Sequence, residues 1–186
     1  MGITHAPATA ALARHLRELR EARGLTLAAL AAQSAVSRAT LSRIENGETS
    51  PTAETLGRLA TTYGLPISRL LSPLDDAFLP VLTRGQQTVW HDPVHQFTRR
   101  AVSPANGPLS VELIECDLAP GQRIAYDAAA IPGQEHHLYV LSGGMEVTVE
   151  GCSHTLGAGD CLRYLLVGPT VFYTADEPCR YLIALK

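Results

Sequence analysis

The sequence lacks the patterns that mark membrane-spanning and secreted proteins. No uninterrupted apolar run in its 186 residues approaches the roughly 20 residues that a membrane-spanning helix needs. The stretch MGITHAPATAALARHLRELR lacks the basic start and the apolar core of a secretory signal. Hydrophobic residues make up 46% of the chain and charged residues 18%, as in ordinary globular proteins. We therefore expect a globular protein of the cytoplasm, with no membrane partner.

The four cysteines form no CxxC pair, which argues against a zinc knuckle or a redox dithiol. Free cysteine is commonly buried, and thiols persist in a reducing compartment. We expect reduced thiols at strand positions for all four, which are Cys116, Cys152, Cys161 and Cys179.

Charge and hydrophobic periodicity divide the chain into two parts. Residues 1–72 carry eight Arg and five Glu, whereas residues 73–186 carry a net charge of −6. A modestly basic part beside an acidic part suggests separate partners, with any polyanion meeting the first part. The sequence predicts two domains, an all-α domain over residues 1–72 and an all-β domain over 87–186, with a linker over 73–86.

Apolar residues recur three and four positions apart from Ala8 to Leu71, which predicts five short amphipathic helices. Thr26 and Ser37 are expected to cap the second and third of them, over about Leu27 to Ser34 and Arg38 to Glu45. Beyond the turn-rich segment SPLDDAFLP, alternating runs such as MEVTVEG are separated by Gly and Pro, which predicts a β-sandwich or a small barrel.

The helical part resembles the helix-turn-helix domain of the XRE family, the Cro and phage-repressor class, over residues 12–71. The resemblance rests on the segment LRELR in the first helix, Ala31 in the second, Val36-Ser37 at the turn, and Ile44-Glu45-Asn46-Gly47 after the third. It implies a domain of five helices that binds double-stranded DNA. In relatives, the residues matching Arg20 and Glu45 bridge the first and third helices.

The third helix of this motif enters the major groove, and its outer face, away from Leu41 and Ile44, reads bases. A hydroxyl at its amino end suits a phosphate oxygen. The alternative for the arginines is a solvated helix face, and Leu27 stands where many relatives carry a glutamine that touches DNA. The candidate DNA-binding residues are Thr26, Ser37, Arg38, Ala39, Ser42, Arg43 and Asn46.

The second part resembles a cupin, the small jelly-roll barrel known as the double-stranded β-helix, over about residues 87–186. The resemblance rests on Pro120-Gly121, the segment YVLSG, the segment LGAGD, and the closing Arg180-Tyr181-Leu182. Chains that join an XRE domain to a cupin form a class of bacterial transcriptional regulators. The resemblance therefore implies a sensor and dimerisation domain.

The stretch EHHLYVLSGG raises the question of a metal site. Metal-binding cupins use three histidines and a glutamate, and the matching positions here are Asp127, Ala129, His136 and Thr170. Alanine cannot ligate and threonine does so poorly, so the set falls short of the three side chains that a catalytic metal needs. We predict no metal, no cofactor and no catalytic residue.

Strand alternation places His136 inward with Leu138 and Val140, and Glu135, His137 and Tyr139 outward. A few polar groups among apolar ones suit a small organic ligand. The alternatives are a hydrogen-bonded core histidine and a filled barrel with no ligand. The candidate effector-binding residues are Asp127, His136, Tyr164, Thr170 and Phe172.

These observations predict a transcriptional regulator, a repressor, that binds a palindromic DNA operator as a homodimer and senses a small-molecule metabolite. Two other functions stay open. One is a metalloenzyme that joins the same two domains, like the epoxidases acting on phosphonates, and the other is an antitoxin that binds both DNA and a toxin.

Overall fold

The computed structural model describes residues 6–71, 78–105 and 109–186. Helices occupy the first part and strands the second, which confirms the predicted order. Five helices fall within the described residues, and they are α1 (Ala6–Ala22), α2 (Leu27–Ser34), α3 (Arg38–Glu45), α4 (Ala53–Tyr63) and α5 (Ile67–Leu71).

Ten antiparallel strands follow in the described residues, and they form two sheets. They are β1 (Val89–Asp92), β2 (Phe97–Ser103), β3 (Glu112–Leu118), β4 (Arg123–Tyr126), β5 (Gln134–Ser142), β6 (Gly144–Val149), β7 (Cys152–Gly157), β8 (Cys161–Leu166), β9 (Thr170–Tyr173) and β10 (Cys179–Leu185).

Side-chain caps explain where the helices begin. Thr26, Ser37 and Thr52 have extended backbone, and each side chain accepts a hydrogen bond from the backbone N–H three residues further on. Gly64 ends α4 with a φ of 61°, in the left-handed region that glycine adopts without strain. The predicted bounds of α2 and α3 are confirmed.

A bidentate ion pair joins the first and third helices, as the family resemblance implies. Arg20 Nε lies 2.8 Å from Glu45 Oε1, and Arg20 Nη2 lies 2.8 Å from Glu45 Oε2. The Glu45 side chain is only 5% exposed and that of Arg20 12% exposed. Around this pair, the apolar core of the helical part includes the fully buried Leu30, Leu41 and Leu56.

The two sheets follow the jelly-roll order. One sheet runs β1-β2-β3-β10-β5-β8 and the other β4-β9-β6-β7. Consecutive strands from β3 to β6 alternate between the two sheets. This is the Greek-key connectivity of a double-sheet jelly roll, the architecture of cupins. The two inner faces pack together through buried residues such as Leu118, Ile124, Leu138, Val147 and Phe172.

All four cysteines lie in strands and carry free thiols, as predicted. Cys116 and Cys179 are buried, whereas Cys152 and Cys161 are exposed. Free cysteine is commonly buried, and this expectation is therefore met by two of the four cysteines.

The connection between the parts extends from the end of α5 at Leu71 to the start of β1 at Val89. Residues 73–77 of the predicted linker lie outside the described residues, and residues 78–86 form turns and irregular backbone. No described helix is long and apolar enough to cross a membrane.

Helix α4 packs directly against the barrel. The fully buried Asp92 in β1 accepts a hydrogen bond from the backbone N–H of Ala53 at 2.7 Å, at the amino end of α4. One turn further along α4, Gly57 lies against the ring of Tyr126, and a methyl group at Gly57 would overlap that ring. The two domains therefore share a packed and hydrogen-bonded contact.

We predict that Glu45→Ala lowers the free energy of unfolding by about 3 kcal/mol. The substitution removes the carboxylate that pairs with the nearly buried guanidinium of Arg20. Chemical denaturation measures the change. Asp117→Ala is the matched control, since it breaks an ion pair with Arg180 that is largely exposed, and its expected cost is below about 1 kcal/mol. Equal costs in the two variants would contradict a structural role for the buried pair.

Candidate functional site

The residues predicted to contact DNA lie on one surface region of the helical domain. Ser37, Arg38, Ala39, Arg43 and Asn46 are exposed on and around α3, whereas Leu41 and Ile44 are buried against the core. Ser42 is half-buried, and Thr26 is exposed at the start of α2. The outer face of α3 is therefore accessible to a macromolecular partner.

The polar side chains of this surface differ in whether they already form hydrogen bonds or ion pairs within the protein. Arg38 makes no hydrogen bond or ion pair within the described part of the chain. Arg43 lies 3.9 Å from Glu48, and Asn46 Oδ1 accepts from Arg17 Nη2 at 2.8 Å. Arg38 is consequently the cation most available to a ligand.

A second candidate site is a cavity of about 90 Å³ inside the barrel. Its wall is mostly apolar and aromatic, and it includes the predicted residues His136, Tyr164, Thr170 and Phe172. The rings of Phe172 and Tyr181 stack nearly parallel at 6.3 Å, and Tyr126 meets Phe172 edge-on at 6.0 Å. The barrel therefore encloses a small space with one continuous aromatic side.

His136 lies at the centre of a hydrogen-bonded group on the cavity wall. Its Nδ1 lies 3.1 Å from the Tyr164 hydroxyl and its Nε2 lies 3.3 Å from Gln134 Oε1. Since an amide oxygen only accepts, Nε2 carries the proton and Nδ1 accepts from Tyr164. Burial, and then the positive charge of Arg99, lower the pKa of His136 to about 4. The imidazole is therefore neutral near pH 7.

The alternation predicted for the strand around His136 is confirmed by burial. His136, Leu138 and Val140 are buried, whereas His137 and Tyr139 are exposed on the outer face. Because side chains alternate along a strand, this one correct parity assignment fixes the orientation of the whole of β5.

The placement of Asp127 in the cavity is wrong. Its side chain is 72% exposed and pairs with Arg58 of α4 at 3.3 Å. Tyr126, Ala128 and Ala130 line the cavity instead. Asp127 lies just beyond the end of β4, where strand alternation no longer sets the direction of the side chains.

Arg58 links this corrected position to the helix-turn-helix. Its Nη1 donates to the backbone carbonyl of Ala35 at 3.3 Å, in the turn between α2 and α3. Its Nη2 lies 3.3 Å from Asp127 Oδ2 in the segment after β4. One side chain thus contacts both the barrel and the turn that precedes the third helix.

Several residues of the cavity wall were missed. Gly57, Pro66 and Ile67 of the helical domain close one side of the cavity, and Arg99 and Gln134 contribute polar groups. The alternation in FTRRAVS could have indicated Arg99, because it places that residue on the same face as the buried Phe97.

The positions of a metal-binding cupin hold few ligand side chains here. Thr170 faces the cavity and Ala129 is buried. Across residues 6–71, 78–105 and 109–186, no group of three or more His, Cys, Asp or Glu is arranged to hold a metal ion.

Comparison with known proteins agrees with this architecture. Residues 11–71 match the family model described as a helix-turn-helix domain. This match shows a helix-turn-helix domain over the helical part, and the strand order of the second part is that of a double-sheet jelly roll, the architecture that cupins share.

Two of the proteins that the chain resembles are described as transcriptional regulators. The chain is 30% identical over 127 residues to the HTH-type transcriptional regulator SutR of Escherichia coli (strain K12), a match that covers 65% of this chain and 63% of SutR. It therefore spans less than two thirds of that relative. A crystal structure of an HTH_3 family transcriptional regulator from Vibrio cholerae superposes with a TM-score of 0.78 at 25% identity, over 98% of both chains.

Hydroxypropylphosphonic acid epoxidase from S. wedmorenis also matches, at 21% identity, over 97% of this chain and 99% of the epoxidase. Its TM-score is 0.46, which is too low to bear on activity.

We predict that His136 makes the protein less stable in acid. An unfolded histidine takes up a proton near pH 6.5, whereas folded His136 resists protonation down to about pH 4. Between these values the unfolded state binds more protons, so the stability falls as the pH falls, by at most about 1.4 kcal/mol per pH unit.

Chemical denaturation at several pH values measures this dependence. In His136→Gln, the slope between pH 6.5 and 4 should flatten relative to the parent protein. His154→Gln is the control, because this exposed histidine of β7 makes no hydrogen bond or ion pair among the described residues, and its slope should match that of the parent. An unchanged slope in His136→Gln would mean that His136 titrates normally.

Proposed function

We propose that this protein is a one-component transcriptional regulator. Its helix-turn-helix domain binds an operator in double-stranded DNA, and its barrel binds a small-molecule effector that changes the affinity for the operator. The observation that carries this proposal is that Gly57, Pro66 and Ile67 of the helical domain form part of the wall of the barrel cavity. A molecule in the cavity would therefore touch both domains.

The DNA-binding role is supported by the exposed face of α3 and by the regulators named above. Arg38 presents a free guanidinium, and arginine can bond guanine in the major groove through two donors at once. Ser37, Ala39, Ser42 and Arg43 are proposed to contact the operator from the same helix. Thr26 and Asn46 are proposed to contact its backbone.

The route from cavity to DNA is proposed to run through α4. The ring of Tyr126 lines the cavity and lies against Gly57, so an effector that moves this ring would press on α4. Arg58 on the same helix contacts the turn before α3. Coupling requires the effector to favour one arrangement of the two domains over another.

The assembly is proposed to be a homodimer that acts as a repressor in the cytoplasm. Tyr139, Leu141 and Leu165 expose apolar surface on the outer face of β5 and β8, which would suit a second copy of the chain. Two recognition helices on one side of the duplex then imply an imperfect palindrome, with half-sites about 10 base pairs apart or a multiple of that.

The proposal assigns no catalysis to the barrel. The cavity-lining positions at the end of β4 and just beyond it hold Tyr126, Ala128 and Ala130, and none of them supplies the histidine or carboxylate ligands of the usual zinc and non-haem iron centres. The metal content of the purified protein distinguishes the proposed regulator from a metalloenzyme, because an enzyme of the epoxidase kind needs a full complement of metal. Co-purification of a toxin would favour the antitoxin instead.

We predict that Arg38→Ala weakens binding to the preferred operator by about 1 to 3 kcal/mol and relaxes base preference at one position in each half-site. Selection from random duplex DNA, followed by sequencing and titration of the selected sites, measures both quantities.

Arg123→Ala is the control for this experiment. It removes the same charge from an exposed position at the start of β4, in the barrel domain, so its base preference should equal that of the parent protein. Unchanged base preference in Arg38→Ala would contradict the assignment of α3 as the recognition helix.

A further inference from the structure

Among the described residues that line the barrel cavity, Arg99 is the one cationic side chain, and it makes no ion pair with any described residue. We propose that the effector is a small carboxylate with an apolar body, and that its charged group pairs with Arg99. This inference deepens the proposed function, because it names the chemical class of the molecule that the barrel would sense.

Strand pairing places Arg99 on the inner face of the barrel. It lies opposite the buried Cys116 in the register of β2 and β3, and two residues from the buried Phe97. Both neighbours line the same cavity. A half-buried arginine at this position is unusual, since long charged side chains normally keep their head groups in water.

Arg99 forms no hydrogen bond or ion pair within the described residues. The adjacent Arg100 differs, because it lies 3.4 Å from Glu115. The buried Glu112 on β3 accepts a hydrogen bond from Ser68 of α5 and pairs with neither arginine. Arg99 is thus a half-buried cation that makes no direct ion pair within the described part of the protein, and it also lines a second cavity of about 450 Å³ with Glu112.

A second polar group on the cavity wall also lacks a partner. Thr170 is 2% exposed, and its hydroxyl makes no hydrogen bond among the described residues. Buried polar groups are nearly always hydrogen-bonded, so this hydroxyl on the cavity wall is available to bond a ligand or a water in the cavity. The hydroxyl of Thr170 can donate to the same ligand that Arg99 attracts.

No acidic side chain is among the described residues that line the cavity. A cationic ligand would meet the charge of Arg99 with nothing to offset it. A sugar would find few partners, because His136 and Tyr164 already bond each other and most of the wall is apolar. A carboxylate suits the planar guanidinium, which can donate to both of its oxygens.

The rest of the wall suits an apolar body on the same ligand. Tyr126, Phe172 and Tyr181 form the aromatic side, and Ile124 and Ile183 add aliphatic surface. A volume of about 90 Å³ limits the ligand to a small molecule. The favoured class is a short aliphatic or aromatic carboxylic acid in its ionised form.

Binding of a defined set of compounds tests this inference in the full-length protein. The probes are the straight-chain carboxylates from propanoate to octanoate together with benzoate, each compared with its neutral carboxamide. Trp90 is the only tryptophan in the chain and lies opposite Arg99 in the register of β1 and β2, so its fluorescence reports on the site. Thermal unfolding with each probe provides an independent measurement.

We expect at least one carboxylate to bind. Its amide should bind at least about tenfold more weakly, because the amide lacks the charged hydrogen-bond partner. Arg99→Gln should weaken carboxylate binding by a similar factor. It should not lower the melting temperature of the ligand-free protein, because Arg99 makes no hydrogen bond or ion pair within the described chain and glutamine keeps part of its stem. Arg100→Gln, on the opposite face of the same strand, should bind as the parent protein does.

Three results would overturn the inference: no carboxylate of the series binds, each amide binds as well as its acid, or Arg99→Gln binds unchanged. Operator affinity, measured with and without the bound carboxylate, separates this inference from the proposed function. A carboxylate that binds through Arg99 without changing operator affinity would support the site and contradict the sensor. Release or capture of DNA by amides alone would support the sensor and contradict the anionic ligand.

Discussion

The contact between α4 and the barrel is the constraint on which the rest of the structure depends. Asp92 is fully buried, and the same carboxylate oxygen accepts from the backbone of Ala53 and lies 2.8 Å from the His95 ring. A buried carboxylate that loses such partners is destabilised, so these hydrogen bonds hold the amino end of α4 against the barrel. At Gly57 the missing side chain lets Tyr126 approach the helix backbone.

This contact gives α4 two roles. It belongs to the core of the helical domain through Leu56 and Leu59, and Gly57 of the same helix forms part of the wall of the barrel cavity. In the function that we propose, a ligand in the cavity would move α4, because close-packed interiors do not deform smoothly. Arg58 on α4 donates to the carbonyl of Ala35, so that movement would reach the turn before α3.

The sequence predicted those features that depend on local patterns. Periodicity and capping residues defined α2 and α3, and strand alternation oriented His136 correctly. Asp127 was misplaced because it lies just beyond β4, where the chain leaves the sheet and the spacing to β5 no longer fixes the register. Arg99 was missed because arginine usually lies on the surface, and the meeting of Gly57 with Tyr126 has no local signal at all.

Filling the cavity without any ligand tests the central claim that its occupancy controls DNA binding. Ala130→Leu adds bulk to the cavity wall, far in sequence from α3, whereas Ala175→Leu adds the same bulk at an exposed position. The measurement is the affinity of each folded variant for an operator selected by the parent protein. The account predicts that Ala130→Leu changes this affinity about fivefold or more while Ala175→Leu leaves it unchanged. An Ala130→Leu protein that is folded and binds the operator as the parent does would contradict it.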